Sequence, residues 1–155
     1  MENNNQYAID KLNHLISICE DGKMGYENAA EDIKDSEVQN LFMKISKERA
    51  SYAMQLRNKF FELGGNSEAT GTGGALGSMH RLWIDMKASF TSGDKDSVIK
   101  ACITGEEAAV KEYTTAIADD KLSVIFKQLL TEQLHGIESA LASIKLHVMP
   151  THANM

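Results

Sequence analysis

The chain has 155 residues, 43% of them hydrophobic, enough for one domain to bury a core without disulfide or metal staples. Acidic side chains outnumber basic ones by 22 to 16, a formal net charge of -6 with no dense Lys/Arg cluster, which argues against a nucleic-acid partner. No apolar run approaches the roughly 20 residues that span a bilayer, and Met1-Glu2-Asn3-Asn4-Asn5 lacks the basic-then-apolar layout of a signal peptide, so a cytoplasmic protein off the membrane is expected.

A first helix is expected from about Asn5 to Ile33, with Ile9, Leu12, Ile16, Cys19, Lys23, Tyr26, Ala30 and Ile33 on its inner face. Gly22 and Gly25 interrupt it at a cost of about 1 kcal/mol each relative to Ala, which marks a bend or a close helix–helix approach. Lys34-Asp35-Ser36 forms a turn, and Ser36 with Gln39 reads as a capping box for a second helix over Glu37 to Leu63. Its stripe is Val38, Phe42, Ile45, Arg49, Tyr52, Leu56, Phe60 and Leu63, and Gly64-Gly65 stops it.

Residues 66–77 are rich in Gly, Ser and Thr and read as a loop, followed by a short helix over Ser78 to Phe90. That helix carries His80, Arg81 and Trp83; the tryptophan is expected to plug one end of the helical assembly, with Leu82 and Met86 as packing neighbours. After Thr91-Ser92-Gly93, a third long helix spans Lys95 to Ala118, and Asp119-Asp120-Lys121 turns into a last one over Leu122 to Val148. Leu122, Phe126, Leu129, Gln133, Ile137, Ala140 and Ile144 form the inner face of that last helix. Pro150 is the sole proline and lies beyond the periodic segments. Residues 1–148 therefore read as one domain and 149–155 as a disordered tail.

Short, long and short connections between four long helices describe an all-α, ferritin-like four-helix bundle, with a crossover between helices two and three that carries a short extra helix. Cys19 and Cys102 are isolated on apolar faces with no CxxC spacing and read as reduced core residues.

The third long helix carries the main anomaly. Its apolar stripe reads Val98, Cys102, Glu106, Ala109, Tyr113, Ile117, with a carboxylate in the middle. A metal ion, a buried cation or a raised pKa has to account for Glu106. Di-metal sites in such bundles take one Glu from each of two helices and Glu-x-x-His from each of the other two. Glu132-Gln133-Leu134-His135 matches that motif, but His135 lies nearly opposite the core stripe. On the second helix Ser51 stands where the histidine of Glu48-x-x-His is needed. A complete di-iron centre is therefore not expected; Glu27, Glu48, Glu106 and Glu132 remain as an alternative, partial site for iron, manganese or zinc.

Arg49 is the matching anomaly, a guanidinium on the second helix's apolar stripe. It can reach Glu106 across the core, with Tyr26, Tyr52 and Tyr113 supplying hydroxyls to a buried polar network.

These elements also carry a resemblance. Asp21-Gly22 with Tyr26 and Ala29-Ala30-Glu31, then Glu48-Arg49-Ala50, then Gly77-Ser78-Met79-His80-Arg81-Leu82-Trp83, then Gly105-Glu106-Glu107-Ala108-Ala109 with Tyr113, resemble a family of bacterial four-helix-bundle proteins described as a domain of unknown function. That family is related in fold to the ferritin and rubrerythrin group, and the resemblance covers about residues 8 to 145. It implies a ferritin-like bundle with no established activity, in which Arg49 and Glu106 belong together. The missing histidine on the second helix speaks against oxidase or peroxidase chemistry. The expected function is thus a non-catalytic bundle, a homodimer acting through contacts with another protein in a stress-related role, without a cofactor.

Overall fold

The computed structural model describes residues 2–65, 77–90 and 94–148, and every regular element among them is a helix. α1 runs over Glu2–Asp32, α2 over Ser36–Glu62, α3 over Ser78–Phe90, α4 over Lys95–Ile117 and α5 over Val124–Lys145. The all-α class expected from the periodicity is the class observed. None of the described helices is long and apolar enough to cross a membrane. Most of the loop expected at 66–77 and the whole of the tail at 149–155 lie outside the described residues.

The caps differ in detail from the sequence reading. Asp35, in extended backbone geometry, is the N-cap of α2, and its Oδ1 accepts from the amides of Glu37 and Val38 at 3.0 and 3.1 Å. Ser36 is already helical, so no Ser36–Gln39 box forms; Gln39 instead donates through Nε2 to the Ala30 carbonyl at 2.7 Å, tying the start of α2 to the end of α1. α5 starts at Val124 rather than Leu122, because the Ser123 hydroxyl accepts from the Phe126 amide. Gly64 ends α2 with φ at +95°, a left-handed conformation that a Cβ would strain.

α1 packs on α2 and α4 on α5, α1 also meets α4, α2 meets α5, and α3 lies against α1 and α4. The buried set follows the predicted stripes closely on α2 and α4. α1 buries more than one stripe: Leu15, Ile18 and Ala29 join the core because neighbours cover it on more than one side, while Ile9 and Lys23 stay half-buried. On α5 it is Leu130 that is fully buried, and Leu129 sits at the margin.

Trp83 does not plug an end. Its ring lies against Gly25 of α1 and Gly105 of α4, where an added Cβ would come within 2.1 and 2.5 Å of it. The glycine at 25 is therefore a point of close helix approach, made for an aromatic ring from α3. His80 anchors the same helix, its Nδ1 lying 2.8 Å from Oδ1 of Asp21 on α1.

Gly25→Ala tests this wedge. The substitution gains about 1 kcal/mol of helix propensity but overpacks a rigid ring, which costs about 1–3 kcal/mol. A net loss of stability is expected in chemical denaturation, together with a shift in the emission of Trp83, the one tryptophan of the chain.

Candidate functional site, a buried arginine–glutamate network

Tyr26, Arg49 and Glu106 come from α1, α2 and α4 and meet in the core. Each occupies a position on its helix's apolar stripe, so the same burial that packs the helices brings three polar heads together. Arg49 is 2% exposed and Glu106 0%, and the guanidinium Nη2 donates to Glu106 Oε1 in a buried ion pair. The Tyr26 hydroxyl donates to the same oxygen at 2.7 Å and lies 3.4 Å from the Cys102 carbonyl. Arg49 also lies over the Tyr26 ring, 5.9 Å from its centroid. Gly22 makes room for it, since a Cβ there would be 2.4 Å from Nη1. Glu106 Oε2 is buried with no hydrogen-bond partner among the described residues, which leaves the carboxylate engaged on one side.

A second cluster lies beside the first. The Tyr113 hydroxyl donates to Gln133 Oε1 at 2.7 Å and lies 3.2 Å from the Cys19 thiol. The Gln133 amide donates in turn to Gln55 Oε1 at 2.8 Å and to the Tyr52 carbonyl at 3.3 Å, so it bridges α5 to α2 and α4. Of the three tyrosines, Tyr26 hydrogen-bonds Glu106, Tyr113 turns to Gln133 and Cys19, and Tyr52 takes part through its backbone. The Tyr52 hydroxyl packs against Gly136, where a Cβ would lie 1.9 Å away.

Burial shapes the electrostatics. Desolvation pushes the Cys19 thiol up to about 11 against its ordinary 9.0. Tyr26, Tyr113 and Cys102 are raised well above their usual ranges, burial first and then the neighbouring Glu106 for Tyr26 and Cys102, or Cys19 for Tyr113. Burial alone would lower Arg49, but the carboxylate of Glu106 beside it more than offsets that, and the guanidinium holds its proton more tightly than in water. These thiols and phenols are neutral at pH 7 and are poor nucleophiles.

The acidic residues of the alternative metal site do not converge. Glu27 and Glu48 are half-buried, Glu132 and His135 are exposed, and among the described residues no three His, Cys, Asp or Glu side chains gather where a metal ion would need them. Glu106 itself is a poor donor for a dication, because one oxygen already faces a permanently charged guanidinium. As placed among the described residues, these side chains do not gather into an iron, manganese or zinc centre.

His80, Arg81 and Trp83 stand apart from the ion pair but touch its edge. Arg81 is exposed, His80 pairs with Asp21, and the Trp83 ring meets Tyr26 edge-on with centroids 5.3 Å apart.

A model of the domain of unknown function DUF2383 matches residues 7–119, from the first turns of α1 to the end of α4. The chain belongs to that family. The matched stretch contains the ion pair, Tyr26, Tyr113 and the α3 motif, whereas Gln133 on α5 lies beyond it. No curated protein matches the chain.

Removing one partner of the ion pair leaves the other buried and uncompensated, at about 3–5 kcal/mol. Glu106→Leu and Arg49→Met should each cost that much in denaturant unfolding. The double variant is expected to recover most of the loss, because both charges then leave the core together.

Alkaline pH probes the second cluster. The unfolded Cys19 thiol ionises from about pH 9, while the buried one keeps its proton to about 11. Its contribution is full below pH 9 and is lost as pH rises through that window, with the raised tyrosines adding a loss of the same sign. Urea midpoints measured from pH 7 to 11 should fall across the window, and Cys19→Ala should flatten the slope.

Proposed function

We propose that the chain is a non-catalytic, ferritin-like four-helix bundle of cytoplasmic, bacterial type, whose core polar network sets how its helices meet and whose outer faces engage protein partners. The crossover between α2 and α4 carries α3, which wedges Trp83 beside the network. One observation supports this reading above the rest: Glu106, the carboxylate best placed to ligate a metal, is engaged by Arg49 and Tyr26. Neutral, buried thiols and phenols beside it give no nucleophile or general base at pH 7. The stress-related part of the proposal rests on analogy with the fold type.

Metal content separates this scaffold role from a degenerate metal binder. The purified protein is incubated with iron(II), manganese(II) or zinc(II), dialysed and measured by elemental analysis. Glu106→Gln should lower stability while leaving a low, non-stoichiometric metal content unchanged. Near-stoichiometric metal that survives dialysis and disappears in Glu106→Gln would overturn the scaffold reading.

A further inference from the structure

We draw no further inference here: the strongest candidate, the groove of about 590 Å³ where α1, the end of α2 and the start of α5 meet, lined by Ala8, Lys59, Leu63, Leu122 and Phe126, rests on surface side chains and the N-terminus of α5, and nothing in the structure shows what fills it.

Discussion

A guanidinium with no access to water has to be matched by an anion at the same depth, and the pairing of Arg49 with Glu106 meets that requirement. The two residues sit on α2 and α4, so the requirement acts between helices that are far apart in sequence and not consecutive. Sliding either helix by one turn along its axis would move a charge by about 5.4 Å and pull the guanidinium and carboxylate apart in the core. Apolar packing alone tolerates such slips far better, because one aliphatic surface resembles another. The pair contributes little net attraction after desolvation; its effect is to make the wrong registers costly.

The cluster around Tyr113 works on the same principle with neutral groups. Gln133 offers an acceptor to α4 and a donor to α2, so α5 is located by a side chain that satisfies both ends at once. Cys19 brings α1 into that cluster, and Tyr26 brings it into the ion pair. Each of the four long helices thus contributes to a buried polar contact, while the bulk of the burial comes from aliphatic and aromatic side chains. The unpartnered Oε2 of Glu106 shows that satisfaction is incomplete at the centre, where the guanidinium and the phenol converge on one oxygen.

How much of this was legible depended on the kind of signal. Helix existence was readable because long apolar stripes at a 3.6 period compete with no prolines and no alternating strand pattern. Boundaries were less so: Asp35 and Ser36 are both good cap formers, and the backbone geometry that decides between them is not written in their identities. Leu122 continues an apolar period yet belongs to a turn, and adjacent Leu129 and Leu130 cannot be ranked by period alone. Arg49 and Glu106 each stood out as a charged residue on an apolar stripe, and that was enough to single them out, whereas Gln133 was read only as part of the inner face of the last helix and its hydrogen bonds came from the structure. The hydrogen bonding of Cys19 left no such trace, since a thiol passes as a small apolar residue. The seat of Trp83 was hidden because it is defined by glycines on two other helices, which carry no side chain to announce a contact.

That seat links three distant stretches of the chain through one shared volume. The indole occupies space that Gly25 and Gly105 leave open, and it touches the Tyr26 ring that serves the ion pair. Growth at either glycine must be matched by a smaller side chain at position 83, and a smaller side chain at 83 without that growth leaves a void beside Tyr26. Positions 25, 83 and 105 therefore form a single unit of sequence variation, and relatives of this chain should alter them together rather than one at a time.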